Sequence, residues 1–244
     1  MTLPVFLAEA VAGAKPGDRL VLDGDEGRHA ATVKRIRAGE QVVLTDGAGT
    51  SVTCTVSTAA KSSLDLVVDG STYVERPLPR ITVVQAIPKG DRGELAVEML
   101  TEIDVDTIVP WAASRSVAVW RGERAAKGLA KWRSAARTAA KQARRSWLPE
   151  VAELAATDDV VALVEAADLA LVLHEDAELP LAGVTLDGVT SIVVIVGPEG
   201  GISDEELSMF AGARTVRLGS SVLRSSTAGV AAVAALSVRT ARWS

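Results

Sequence analysis

The chain has one cysteine, two histidines and only 3% aromatic residues in a length of 244. Each scarcity removes a class of protein. The lone Cys54 forbids an intrachain disulfide and any cysteine-cluster zinc site, and His29 and His174 stand too far apart in sequence to suggest a histidine metal site. A reducing compartment and no metal are therefore expected. No apolar run approaches the roughly 18 residues of a membrane-spanning helix, and the start MTLPVFLAEA lacks the basic and long apolar stretches of a signal peptide. The expected location is cytoplasmic, with no membrane partner. Two phosphate cradles are also missing. There is no GxxxxGK[ST] loop and no GxGxxG opening into a helix, so a nucleotide-binding enzyme of either type is disfavoured.

The last absence is local. Residues 148 to 213 contain no lysine or arginine, whereas residues 111 to 147 carry ten against the single acid Glu123. The overall charge of -5 thus hides a strongly cationic segment. A polyanion responds to such a patch rather than to the total, because screening confines attraction to about 10 Å at ordinary salt.

What is present divides near residue 76. The first 75 residues alternate short β-branched runs with Gly/Asp turns (DRLVLDGDEG, EQVVLTDGAGTSVTCTV, SSLDLVVDG), the pattern of a small all-β barrel or sandwich. A short helix is expected over HAATVKRIRAGE, residues 29 to 40. RPLPR at 76 to 80 reads as a linker, because its prolines resist both helix and central strand. Beyond it the period changes. ITVVQAIP, DTIVPWA, ADLALVLHE, SIVVIVG and TVRLG read as buried strands, and GELAVEMLTEI, DEELSMFAGA and a last segment from about 226 as helices. Strands apolar on both faces and alternating with helices predict an α/β domain with a parallel sheet.

A long helix is expected in the cationic segment. At 100° per residue, Leu129, Trp132, Ala136, Ala139, Ala140, Ala143 and Trp147 share one stripe, while Lys127, Lys131, Arg133, Arg137, Lys141, Arg144 and Arg145 occupy the other side. That side is either a solvated face or a surface for RNA phosphates. The second alternative gains from the lack of interleaved acids that would relieve the like-charge repulsion.

The most distinctive stretch is VVIVGPEGGISDEEL at 193 to 207. An apolar strand ends in a glycine loop that carries Glu199 and the acidic trio Asp204, Glu205 and Glu206, with Ser203 placed as a helix N-cap. An anion would be repelled there, so the loop suits a neutral or cationic ligand. A second unusual stretch, VRLGSSVLRSSTAGVAAVAAL, ends a strand at Leu218-Gly219 and opens a helix whose face is Ala and Gly. Both loops would follow parallel strands, where open α/β sheets hold their ligands.

VGPEGGISDEEL together with LGSSVLRSSTA resembles the RsmE-type ribosomal RNA methyltransferases of the SPOUT superfamily, as do IPKGDRGELAVEMLTEIDVDTIVP and HAATVKRIRAGEQVVLTDGAG. The resemblance covers nearly the whole chain. It implies a PUA-like β-barrel RNA-binding domain (1–75), followed by a SPOUT α/β trefoil-knot methyltransferase domain (76–244). It further implies a homodimer, and transfer of a methyl group from S-adenosyl-L-methionine to N3 of a uridine in 16S rRNA, free or in the assembled small ribosomal subunit. By that resemblance the cofactor pocket would use Leu173, His174, Val196, Gly197, Pro198, Glu199, Gly200, Leu218, Gly219, Val222, Leu223 and Ala228. Arg224 becomes the candidate catalytic residue, orienting the uridine or its phosphate. Arg35, Arg115, Arg124, Lys131, Arg137, Lys141, Arg144 and Arg145 are candidates for RNA contact. Four positions depart from the family pattern: Ser221 for an arginine, Ser226 for a glutamate, Met99 for a lysine and Asp104 for a glycine. A SPOUT enzyme acting on another RNA and a non-enzymatic RNA-binding protein are the alternatives.

Overall fold

A computed structural model describes residues 3–243. Met1, Thr2 and Ser244, at the outer limits of the two expected domains, lie outside the described residues. The chain forms two compact units, Met1–Arg76 with Ala140–Leu148, and Pro77–Ala139 with Pro149–Ser244.

The first unit holds strands β1 (Val5–Leu7), β2 (Arg19–Leu22), β3 (Gln41–Thr45), β4 (Thr50–Ala59) and β5 (Leu64–Tyr73) in one sheet of order β1-β3-β4-β5-β2. It is antiparallel except for β1, which runs parallel to β3. Alternation places Val42, Leu44, Val52, Cys54, Val56, Leu64 and Leu66 in its core. Burial, with a smaller contribution from Asp69, raises the Cys54 thiol to about 11, so it packs as an inert apolar group. The expected helix over 29–40 starts and ends earlier. Helix α1 (Gly24–Arg28) continues into a wider turn over His29–Val33, and Arg35 at φ 55° takes the left-handed conformation that stops it.

Residues 140–148 belong to this unit, which the sequence did not signal. Trp147 Nε1 donates to the Val74 carbonyl (2.8 Å), its ring meets Tyr73 edge to face, and Gly49 N–H donates to the Ser146 carbonyl (2.9 Å).

In the second unit six parallel strands take the order β11-β9-β10-β6-β7-β8. They are β6 (Arg80–Ala86), β7 (Thr107–Trp111), β8 (Glu150–Val151), β9 (Leu169–Leu173), β10 (Ser191–Val196) and β11 (Arg214–Val216). Helices α2 (Arg92–Glu102), α3 (Glu123–Gln142), α4 (Thr157–Ala166), α5 (Asp204–Met209) and α6 (Ser225–Arg239) connect or follow them. Apolar residues cover the sheet on both sides in two separate clusters, one built on Val83, Leu171 and Val194, the other on Val84, Val172 and Ile195. Side chains that alternate along one strand thus serve opposite faces, as a sheet buried on both sides requires. The parallel α/β sheet and the separate β unit are the architecture expected from the sequence. Helix α4 was not anticipated.

Two local features bear on the departures from the family pattern. Asp104 has φ 69°, a left-handed residue where glycine would be unstrained. Its carboxylate pairs with the fully buried Arg242 guanidinium (3.0 Å), which also pairs with Asp106 (2.8 Å) and donates to the Asp104 and Pro79 carbonyls. The aspartate thus recruits a partner that glycine could not. Ser226 is buried at the start of α6, where a glutamate would need a partner of its own.

The long helix α3 is shorter than expected at its C-terminal end. Leu129, Trp132, Ala136, Ala139 and Ala140 are buried as expected. The helix stops at Gln142, however, so Ala143 and Trp147 lie outside it, and Arg144 at φ 56° turns the chain away.

Candidate cofactor cleft

Parallel pairing brings the C-terminal ends of β10, β9 and β11 side by side, with Leu173 opposite Val196 on one flank and Val216 on the other. The loops leaving these three strands enclose a cleft of about 290 Å³. From β9 come Leu173 and His174, from β10 Val196 to Glu199, and from β11 Leu218, Gly219, Val222 and Leu223, followed by Arg224 and Ala228 at the start of α6.

The loop after β10 is held from several directions. Gly201 N–H donates to the Pro198 carbonyl (2.9 Å), closing a tight turn, and Gly201 at φ +74° takes a conformation that other residues adopt only under strain. A Cβ on Gly197 would stand 2.7 Å from Ile202 Cγ1. Beyond the turn, Ser203 caps α5 by accepting from the Glu206 N–H (3.2 Å), as its position predicted. Glu206 reaches further than a cap. One oxygen accepts the Ser114 N–H (2.7 Å), and the other accepts the Ser203 N–H (3.0 Å) and hydroxyl (2.9 Å). Burial pushes its carboxyl upward, but the hydrogen bonds from Ser114 and Ser203 outweigh this and hold it below the usual range.

Glu199 is the only acid contributed by that turn to the cleft wall. Its carboxylate accepts the Ser225 hydroxyl (3.1 Å) and lies 3.9 Å from the Arg92 guanidinium. Ser225 opens α6 and Arg92 opens α2, so two helix starts fix one side chain. His174 turns its Nδ1 to the Asp176 N–H (3.2 Å), which it accepts, leaving that nitrogen engaged. Arg224 is exposed at the mouth and makes no ion pair among the described residues. Its carbonyl accepts the Thr227 and Ala228 N–H groups, beginning α6.

A family model for an RNA methyltransferase domain matches residues 74–237, and one for an RNA methyltransferase PUA domain matches residues 22–69. Ribosomal RNA small subunit methyltransferase E of Mycobacterium bovis is 45% identical over 229 residues, covering 91% of this chain and 87% of the relative. This chain belongs to the ribosomal RNA small subunit methyltransferase E family. The Bacillus subtilis member is 26% identical over 90% of each chain. The Neisseria gonorrhoeae member, solved bound to S-adenosyl methionine, superposes with a TM-score of 0.86 at 27% identity over 98% of each chain.

Of the twelve residues assigned to the cofactor in this methyltransferase E family member, eleven line the cleft. Gly200 does not, because it faces the backbone of Arg115, whose carbonyl would lie 3.0 Å from an added Cβ. Other residues that line the cleft, among them Arg92, Gly201 and Ser225, were not assigned from the sequence. Each of these three lies in a quoted stretch, Arg92 in IPKGDRGEL, Gly201 in GPEGG and Ser225 beside the matched Arg224, but the stretch alone does not say which of its side chains faces the cleft.

The candidates for RNA contact do not form one group. Arg115 supports the loop after β10 by donating to the Ile202 carbonyl (3.4 Å). Arg124, Lys131 and Arg137 are exposed along α3. Lys141 is committed to Glu26 (2.7 Å), and Arg145 is buried in the first unit rather than facing outward, because the chain has left the helix by that point. Arg35 and Arg144 are exposed in that same unit. Among the described residues no group of His, Cys, Asp and Glu could hold a metal ion, and no helix is long and apolar enough to cross a membrane.

Proposed function

We propose that this chain uses S-adenosylmethionine to methylate N3 of a uridine in the 16S rRNA of the small ribosomal subunit, acting in the cytoplasm as a homodimer. The observation that carries the reading is the cleft at three adjacent strand ends, with apolar walls and a fixed carboxylate in place of a phosphate cradle. Family membership and the cofactor-bound Neisseria relative support the same cofactor here. The residues fit it. Leu173, Val196 and Leu218 offer apolar surface to an adenine, and Glu199 offers negative charge to the cationic methionine end.

Bound there, the cofactor supplies a methyl group activated by a sulfonium charge. The chain's contribution is to hold the nucleophile against it in line and to exclude water. Uridine N3 must lose its proton, which passes to solvent at the open mouth of the cleft, and the negative charge that develops spreads onto O2 and O4. Arg224, exposed at the mouth and without an internal partner, stabilises that charge. The engaged Nδ1 of His174 favours a wall role over a base. Residues 1–75 contribute to RNA binding, and residues 76–244 carry the chemistry and further RNA contacts. The exposed apolar side chains of Val222 and Val238 favour a second copy packed near the last helix.

The test is methyl transfer to small subunits purified from cells lacking this modification, with the product nucleoside and its position identified by mass spectrometry. N3-methyluridine at one position is expected. Transfer to a different base, or none to subunit or free 16S rRNA despite cofactor binding, would refute the substrate assignment.

A further inference from the structure

Outside the cofactor cleft, one hollow of the α/β unit combines aromatic rings, unpartnered donors and cations. It measures about 330 Å³ and lies between the segment after β6, the first turn of α2 and the early turns of α3. Trp120 and Trp132 line it edge to face, with ring centroids 5.2 Å apart. Trp132 is 2% exposed and Trp120 is half-buried. Both rings are seated on glycine. A Cβ on Gly93 would stand 2.8 Å from Trp132 Nε1, and one on Gly128 2.5 Å from Trp120 Cε2.

Neither indole N–H has an acceptor among the described residues, and neither nitrogen is fully enclosed, so both are open to a ligand. Arg124, Lys127 and Lys131 stand at the rim. Lys127 and Lys131 have only exposed partners, Glu123 at 3.6 Å and Glu94 at 3.5 Å, of the kind that contributes little and exchanges readily.

We propose that this hollow is a subsite for one unpaired nucleotide of the RNA substrate. The base rests against Trp120 and accepts from an indole N–H, and the phosphate meets Arg124, Lys127 and Lys131. The volume is at the lower end of the roughly 300–1,000 Å³ of small-ligand pockets, a size for a nucleotide and not for a duplex. Stacking on aromatic rings beside a cationic rim is how unpaired RNA is held. Its position gives the subsite a purpose. The first turn of α2 is shared, with Arg92 lining the cofactor cleft while Gly90, Gly93 and Glu94 line the hollow. A nucleotide captured there lies about one helical turn from the cleft, so the subsite would anchor a neighbour of the base being modified.

The inference rests on the chain acting on RNA, and the experiment separates the two. The full chain is titrated with a labelled single-stranded ribopentanucleotide and with adenosine 5′-monophosphate, and methyl transfer to small subunits is measured in parallel. Expected for Trp120→Leu is roughly a tenfold loss of pentanucleotide affinity, with a matching rise in KM for subunits and unchanged S-adenosylmethionine binding. Trp120→Phe should recover most of the loss, which a merely structural defect would not predict. Unchanged KM and pentanucleotide affinity in Trp120→Leu would overturn the subsite while leaving the methyltransferase reading intact. Mononucleotide binding as tight as that of the pentanucleotide would also overturn it, in favour of a free-nucleotide site. Absence of transfer by the wild-type chain would instead remove the reading beneath it.

Discussion

Glu206 is 3% exposed and sits on a helix of six residues, yet it ties the loop after β10 to the segment after β7. Replacing it with alanine removes three hydrogen bonds and leaves the Ser114 and Ser203 N–H groups without their acceptor. Hydrogen bonds to a charged group contribute about 1.5–3 kcal/mol each by deletion, and bonds sharing one carboxylate do not add fully. A total near 3 kcal/mol is reasonable, equivalent to about 6–12 °C in Tm for a unit of this size. Cofactor affinity should fall as well. If binding must re-order even one or two loop residues at about 1–2 kcal/mol each, the loss is roughly fivefold or more.

Glu206→Gln is the informative companion. An amide can accept from one of the two backbone N–H groups but must point its own NH₂ at the other, so about half the stability loss is expected. It also isolates the titration. The Glu206 carboxyl is held below its unfolded value, so its stabilisation is fully present above the unfolded carboxylate pKa and is lost as pH falls through the folded one. Wild-type stability should therefore decline on acidification more steeply than that of the Gln variant. Thermal unfolding across pH, paired with cofactor calorimetry, measures both effects. Wild-type Tm and wild-type affinity in Glu206→Ala would refute the claim that this carboxylate holds the loop.

Ser225→Ala frees Glu199 from its hydroxyl donor and should weaken S-adenosylmethionine binding by about 3- to 10-fold in calorimetry, with little change in Tm. Arg224→Ala should lower kcat for methyl transfer by about 100-fold while leaving cofactor affinity within a few-fold, the mark of a group that acts on developing charge. Arg242→Ala removes a buried guanidinium from Asp104 and Asp106, of which Asp106 keeps its pair with Arg80 at 3.2 Å, and should cost about 3 kcal/mol in urea unfolding, with no direct effect on cofactor contacts. Gly229→Val should be strongly destabilising in the same assay, because even a Cβ at this position meets Val196 Cγ2 at 3.1 Å across the α6 packing face.

What the sequence disclosed and what it hid follow one physical division. Periodicity reports which face of an element is buried, so β6, β9, β10 and the inner stripe of α3 were legible from Ile81, Leu171, Val194 and Trp132 alone. It says nothing about which distant segment completes a surface. That is why residues 140–148 read as more helix, although Gly49 and Tyr73 leave a place for Trp147. The site divides in the same way. The twelve cofactor candidates, eleven of which line the cleft, lie in three local motifs, and each motif is continuous because one strand end supplies one wall. Arg92 and Glu206 escaped because their significance is a contact with another element, Glu199 in one case and Ser114 in the other. Charge runs were the least reliable guide. Of eight cations grouped by sequence, Lys141 is neutralised by Glu26 and Arg145 is buried, while Arg124 and Lys131 gain meaning only beside Trp120. A cation marks a binding surface when its surroundings leave its charge unspent, and only the folded arrangement determines that.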